Sequence, residues 1–321
     1  IEYTVFCSKK DYSNHQKHYL NARLVYLNLS PNGMSSILYD FISMILSLKS
    51  DVMLILGVSG SLFLPFIRMI YKGRIITNVD GIEWKRQKWG RLARLVLRLS
   101  EKEAVKCSDI VIGDNQAIVD YISKEYHKEA KLIEYGADQE KVNGSFENQY
   151  PFMKDKYAIT VCRIEPENNI ESILVAFTNQ TKYKLVIIGN WRKTEYGMRL
   201  LQQYRNYPGI YLMDPIYNSD RLNTLRLNSS LYIHGHSAGG TNPSLVEAMF
   251  LGLPVVAYDC VYNRETTEGV CVYWSSVDDL TGIIANVSHE QLTINRDEMM
   301  RIASKRYRWS IVVSKYEALY F

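Results

Sequence analysis

Short, unbroken apolar runs recur along the chain, and helical patterns separate most of them. No other feature of the sequence constrains the fold as much. In the first half the runs are "YTVFC" (3–7), "ARLVYLNL" (22–29), "VMLILG" (52–57), "RIITNV" (74–79), "DIVIGD" (109–114) and "KLIEYG" (131–136). The second half repeats the theme with "YAITVCR" (157–163), "KLVIIGN" (184–190), "IYLMD" (210–214), "SLYIHGH" (230–236), "PVVAYD" (254–259) and "CVYW" (271–274). A strand without polar alternation is covered on both faces, and amphipathic segments such as 34–48 and 116–127 can cover it. The pattern therefore predicts α/β architecture: two doubly wound, Rossmann-like domains facing a central cleft. Ligands are expected at the carboxyl ends of the strands. The polar stretch "DQEKVNGSFENQYPFMKDK" (138–156) breaks the rhythm and reads as a linker. This places one domain over 1–145 and another over 150–305, with a helical tail, 306–321, that can pack back on the first. The chain starts at Ile1 without methionine, already in a strand pattern, so a preceding N-terminal strand and loop are expected.

Composition narrows the class. The 47% hydrophobic and 22% charged contents are those of a globular protein. A net charge of +4 is too small to argue for nucleic acid, and none is expected as a partner. The five cysteines are widely spaced and form no C-x-x-C pair, which argues against a disulfide framework or zinc site and for the cytoplasm. The longest uncharged run, 52–67, is short for a membrane span and is interrupted by Gly57, Ser59, Gly60, Ser61 and Pro65.

The segment "IHGHSAGGTNPSLVEAM" (233–249) concentrates the chemistry. It reads as a buried strand, a glycine loop and a helix capped by Asn242 with Pro243 in its first turn. Unpaired N–H groups and the helix dipole at such a terminus attract anions, and Gly239 and Gly240 let a phosphate approach the backbone. Thr241 lies in the same loop. Glu247, about one turn into the helix, can accept two hydroxyl hydrogen bonds, as a ribose offers; the alternative is a solvent-facing glutamate. Arg163, at the end of the second half's first strand, is a permanently charged fork suited to a diphosphate or, alternatively, to an interdomain ion pair. Arg192 and Lys193 follow another strand end. Asp80 ends "RIITNV" and precedes Gly81, as either an acceptor-orienting group or a turn residue. His234 and His236 alternate on a strand, but no acidic or thiol ligand accompanies them at metal spacing, so no metal is expected.

From Trp84 to Ser100 six basic residues occur without an acid: Lys85, Arg86, Lys88, Arg91, Arg94 and Arg98. Arg91, Arg94 and Arg98 share one helical face, and Leu92, Leu95, Val96 and Leu99 another. A basic amphipathic helix suits an anionic membrane surface, as on the inner face of the plasma membrane. It equally describes a surface helix whose apolar side enters the core.

Three segments, "CRIEPENNIESILVAF", "LVIIGN" and the glycine loop leading to "LVEAMFLGLPVVA", resemble the donor domain of retaining GT-B glycosyltransferases of family 4. "VDGIEWKRQKWG", "PENNIE" and "HGHSAGGTNPSLVEAM" resemble more specifically a rhamnosyltransferase-like bacterial branch that builds capsule and cell-wall polysaccharide. The resemblance spans almost the whole chain. It implies metal-independent transfer of a sugar, expected to be rhamnose from dTDP-rhamnose, or else from a UDP-sugar, to a polyprenyl-diphosphate-linked saccharide. No cofactor is implied. It also implies that Arg163 stabilises the leaving diphosphate, that Glu247 holds the ribose, that His236 faces the donor, and that Asp80 neighbours the acceptor. Two residues depart from the family pattern: Gly239 stands where a first glutamate is usual, and Asn168 where a lysine is usual. The family's first strand and glycine-rich loop have no counterpart in the sequence. A sugar-nucleotide epimerase of the same fold, or a non-catalytic nucleotide-sugar-binding partner of a transferase, are the alternative readings.

Overall fold

A computed structural model describes residues 1–12, 14–33, 35–86, 89–138, 150–179 and 182–321. Lys88 and residues 139–149 of the expected linker lie outside the described residues. The chain divides into two compact units. The first comprises Ile1–Gly113, Ile118–Lys131 and Tyr320; the second comprises Asp114–Ala117, Leu132–Leu319 and Phe321.

The first unit contains β1 (Tyr3–Ser8), β2 (His18–Tyr19), β3 (Ala22–Leu27), α1 (Ser35–Leu46), β4 (Val52–Leu56), α2 (Leu64–Ile70), β5 (Arg74–Val79), α3 (Arg91–Cys107), β6 (Ile110–Gly113) and most of α4 (Gln116–Tyr126). β7 (Lys131–Leu132) straddles the two units. Two sheets form, with orders β1-β3-β2 and β4-β5-β6-β7. β1 and β3 are parallel, as are β4, β5 and β6. β5 and β6 are buried on both faces, with Ile75, Ile76, Val79, Val111 and Ile112 all out of water, as are Ile67 of α2, Val105 of α3 and Ile118 of α4. Most strand expectations match within two residues. "KLIEYG" is the exception, with only its first two residues in a strand.

The second unit contains β8 (Tyr157–Val161), α5 (Ile170–Thr178), β9 (Lys184–Ile188), α6 (Glu195–Tyr204), β10 (Ile210–Met213), α7 (Ser219–Leu227), β11 (Leu231–His234), α8 (Pro243–Phe250), β12 (Val255–Tyr258), α9 (Val261–Thr266), β13 (Val272–Trp274), α10 (Val277–Asn286), α11 (His289–Arg306) and α12 (Trp309–Tyr320). Its strands form one parallel sheet of order β10-β9-β8-β11-β12-β13. Strand residues alternate between two cores. Tyr157, Ile159, Val186 and Tyr232 face a cluster with Leu245 of α8 and Met299 of α11. Ala158, Leu185, Ile187 and Ile233 face one with Ile173 of α5, Leu200 of α6 and Leu280 of α10. This two-sided burial explains the unbroken apolar runs.

The expected C-terminal helix begins at Trp309, after a break that follows α11. Its residues up to Leu319 group with the second unit, while Tyr320 groups with the first, where its ring meets that of Tyr3 at 6.4 Å. Its anchors are a Trp309 ring packed so closely on Gly136 that a Cβ there would collide with it, and a 2.6 Å Lys315–Glu134 ion pair.

A candidate donor site at the sheet switch point

β8 is the first strand of its sheet. The chain builds outward from it through β9 and β10, then returns to its other side with β11. The order therefore reverses between β8 and β11, and a crevice at such a reversal is where open α/β sheets bind ligands. Arg163 follows β8, and the glycine loop follows β11.

The two loops are laced together. Thr160 Oγ1 donates to the Ile233 carbonyl at 2.9 Å, and Asn169 Nδ2 donates to the Gly235 carbonyl at 2.8 Å. Ser237 gives both its N–H and its hydroxyl to the Glu167 carbonyl, each at 2.9 Å. Gly235 is required here, because a Cβ would collide with the Asn168 carbonyl.

Asn168, which stands in place of the family's lysine, has a defined internal role. Its Nδ2 donates to the Arg163 carbonyl at 2.7 Å. A carbonyl only accepts, so the amide nitrogen must face it and Oδ1 must face His236 Nδ1, 2.8 Å away. His236 therefore carries its proton on Nδ1, and in the neutral ring Nε2 holds the lone pair. A neutral His236 thus presents Nε2 as an acceptor, and only the doubly protonated ring would donate there. His234, one pleat back, is buried, and burial together with the neighbouring His236 holds it well below the ordinary imidazole range. Among the described residues no group of three histidine, cysteine or acidic side chains could hold a metal ion.

The loop geometry agrees with the sequence at its caps. Asn242 caps α8 by accepting from the Ser244 N–H at 3.0 Å, and Pro243 opens the helix. Gly239 has φ +105°, in the left-handed region open to glycine. Gly240 packs against the Asp114 carboxylate, where a Cβ would collide. Thr241 is buried, and its hydroxyl donates to the Asp114 carbonyl at 2.5 Å, so that hydrogen is committed inside the protein.

Glu247 is not a solvent-facing glutamate. Its Oε2 receives Arg226 Nη2 at 2.5 Å, and Arg226 Nη1 donates to Asn223 Oδ1 at 3.1 Å. The Arg226 side chain is 2% exposed and that of Glu247 22% exposed. Sequence reasoning passed over Arg226. Its signal was its position four residues after Leu222 and next to Leu225, on the apolar stripe of α7.

Arg163 differs from Arg226. Its side chain is 54% exposed, and its ion pair with Glu165, at 3.8 Å, is loose. Arg192 reaches both oxygens of Asp214 at 3.0 and 3.1 Å, and Lys193 is exposed beside it.

In the first unit Asp80 follows β5 directly and is exposed, with Gly81 at φ +151°. The basic stretch separates into two groups. Arg86 is buried against Glu83 at 2.8 Å, Lys85 lies over the Trp84 and Tyr121 rings, and Arg98 stacks 5.1 Å from the Trp84 ring while pairing with Glu125 at 3.1 Å. Arg91 and Arg94 are exposed. The leucines of α3 do not enter the core: Leu92 is 74% exposed, and Leu95 and Leu99 are exposed beside it. Only from Ser100 onward does α3 turn its buried side inward. There Glu101 accepts from the hydroxyls of Tyr121 and Tyr126, both at 2.6 Å. On α2, Phe66, Met69 and Ile70 are also exposed.

Comparisons place this geometry. Residues 1–138 match a domain of unknown function (DUF1972), and residues 144–307 match the glycosyl transferases group 1 family. A sucrose-phosphate synthase from Thermosynechococcus elongatus is similar at TM-score 0.81 with 15% identity, covering 99% of this chain and 88% of that one. HepE from Anabaena, in a complex with UDP-glucose, is similar at TM-score 0.75 with 14% identity, covering 92% and 85%. An α,α-trehalose-6-phosphate synthase from Burkholderia multivorans follows at TM-score 0.69 with 10% identity, covering 88% and 75%. No curated protein sequence matches the chain. The structural likenesses establish the GT-B fold of two Rossmann-like domains. The match over 144–307 is longer than half the chain, so the chain belongs to the glycosyl transferases group 1 family and is a glycosyltransferase.

Proposed function

We propose that the enzyme transfers a sugar, with retention, from a nucleoside diphosphate donor to a lipid-linked saccharide. The observation that carries the reading is the convergence of an exposed arginine and a glycine loop on the switch point between β8 and β11. In the reaction the bond from the anomeric carbon to the diphosphate breaks, and a bond to the acceptor oxygen forms on the same face. The acceptor proton passes to the departing phosphate oxygen. Negative charge grows on that phosphate, and the Arg163 guanidinium and the N–H groups leading into α8 are the donors that meet it. Glu247 accepts from the ribose hydroxyls. Asp80 orients the acceptor hydroxyl in its own domain. Rhamnose as the sugar rests on the likeness of the segments 78–90 and 233–249 to rhamnosyltransferases, and a UDP-sugar is the competing donor; HepE was solved with UDP-glucose.

For the acceptor, support comes from α2 and α3. Exposed Phe66, Met69, Leu92 and Leu95 beside Arg91 and Arg94 form an apolar surface with a cationic margin, which matches an anionic membrane holding a polyprenyl diphosphate. The test is a donor panel, including dTDP-rhamnose and UDP-glucose, with a polyprenyl-diphosphate saccharide and product analysis by NMR. Turnover of one donor with an unchanged anomeric configuration is the expected result. Inversion, or transfer only to a free phosphorylated sugar, would overturn the reading.

A further inference from the structure

Arg226 is a fully buried charged side chain paired with Glu247 of the site, and no part of the transfer scheme above uses it. It sits in the last turn of α7, which leads from β10 back to β11 and so approaches the switch point from the protein interior. Its guanidinium is braced on one side by Asn223, one turn earlier in α7 and itself buried, and on the other by Glu247 of α8. The pair is asymmetric: the Arg226 side chain is shut in, while that of Glu247, on the helix that follows the glycine loop, is partly exposed. Arg226 thus holds a partly exposed acid from inside the protein.

We propose that Arg226 is a positioning residue for nucleotide binding. It fixes the rotamer of Glu247 and keeps its carboxylate ionised, so that the acid is preset to accept from the hydroxyls of the nucleotide's sugar. A ribonucleotide such as UDP offers two, and the deoxyribonucleotide dTDP offers the 3′-hydroxyl alone, so dTDP should lose less when Arg226 is replaced. The proposal deepens the nucleotide-sugar reading and rests on it. The physical reason is mutual. A buried guanidinium cannot lose its proton and requires a counter-charge, and a half-buried carboxylate beside that fixed charge resists protonation. Arginine suits the task better than lysine because its fork engages Asn223 and Glu247 at once.

The experiment uses the full chain, with UDP and dTDP as probes and calorimetry from pH 7.5 to 5. For Arg226→Met, affinity is expected to fall at least 10-fold at pH 7.5 and to fall further toward pH 5, as Glu247 takes up a proton. The wild type supplies the baseline, because the nucleotide's own terminal phosphate takes up a proton at about pH 6, and the readout is the departure of each variant from that baseline. Arg226→Lys keeps the charge and tests the role even if the methionine variant folds poorly. It should bind with intermediate affinity and no new pH dependence. In the double variant Arg226→Met with Glu247→Gln, affinity should equal that of Glu247→Gln alone, since Arg226 acts through the acid. If the two losses add, or if the Arg226 variants lose melting temperature but keep wild-type affinity and the wild-type pH profile, Arg226 is structural and the proposal falls. If Glu247→Gln itself binds both nucleotides normally, the ribose assignment falls first and takes this inference with it.

Discussion

The two units handle polar and apolar groups in opposite ways. In the second unit groups at the carboxyl edge of the sheet hold one another: Asn168 holds His236, the Glu167 carbonyl holds Ser237, and Arg226 holds Glu247. Few of those side chains have freedom left. In the first unit large apolar side chains face outward along α2 and the first half of α3, and β1 and β4 also expose Tyr3, Val5, Leu54 and Leu56. The difference teaches what each surface suits. A small, charged ligand is discriminated by groups already fixed in place, because ordering them on binding would weaken affinity. A broad, fluid partner needs only area and charge. The predictions below press on that contrast, the largest effect first.

Glu247→Gln tests the fixed side. Neutralising the acid takes away a negative charge paired with the buried Arg226, and removing one partner of such a pair typically costs about 3–5 kcal/mol. The variant should therefore lose melting temperature as well as nucleotide affinity, with a Kd higher by about 10-fold or more. A melting curve that overlays the wild type would show that the pair is solvated and that the second unit is not as internally committed as described.

The open side is tested by reversing Arg91, Arg94 and Arg98 to Glu, and separately by Leu92→Ser with Leu95→Ser. Each basic contact with an anionic surface is worth about 1 kcal/mol. The triple reversal should abolish co-sedimentation with anionic liposomes. Arg98 already pairs with Glu125, so Arg91 and Arg94 should account for most of the loss. The leucine pair should weaken binding while leaving stability within about 0.5 kcal/mol, because exposed positions tolerate change. If the leucine variant unfolds, those side chains are covered and the contrast is void.

Much of the second unit was legible because its determinants are local. The apolar runs of β8 to β12, the Asn242 cap with Pro243, and the placement of Arg163 just past a strand follow from short-range pattern. What remained hidden depends on tertiary neighbours. Nothing around Gly240 announces Asp114, which is 126 positions away. Arg226 looks like an ordinary helical arginine until α8 is laid against α7. In the first unit the same limit produced an ambiguous reading. The leucines of α3 fit a core-facing stripe by spacing, yet the helix buries only its second half, around Glu101, Ala104 and Val105. The orientation of a helix end is set by what lies beneath it, not by its own periodicity.

Arg163→Ala gives a catalytic effect with little structural cost. Its ion pair with Glu165 is exposed and long, and such pairs are worth roughly 0–1 kcal/mol, so stability should barely change. An interaction that strengthens as charge develops affects turnover more than substrate binding, and losing one such stabiliser lowers kcat on the order of 10²-fold. Arg163→Lys should recover only part of the rate, because a point charge lacks the fork. Near-normal turnover of the alanine variant would move the phosphate contact to Arg192 and Lys193.

The smallest effect contrasts two carboxylates directly. Glu247 is held by a guanidinium, whereas Asp40 of α1, also drawn out of water, is held by a serine: Ser59 Oγ donates to Oδ2 at 2.5 Å. Burial raises the Asp40 pKa above its ordinary value, and the Ser59 hydrogen bond only partly offsets this. The sign follows from linkage. With its folded pKa raised, native Asp40 binds a proton more tightly than the unfolded chain does. The wild type thus gains stability as pH falls from above the folded pKa toward the ordinary aspartate value of 3.8, and carries a penalty above it. Asp40→Asn removes that titration. At pH 7 the amide escapes the penalty but gives up a charged hydrogen bond, two opposed effects that should leave the variant within about 1 kcal/mol of the wild type. As the pH falls toward 3.8, the stability difference should move in favour of the wild type, measured by urea unfolding at successive pH values. A difference that moved the other way would mean that Asp40, like Glu247, is held ionised by a positive partner.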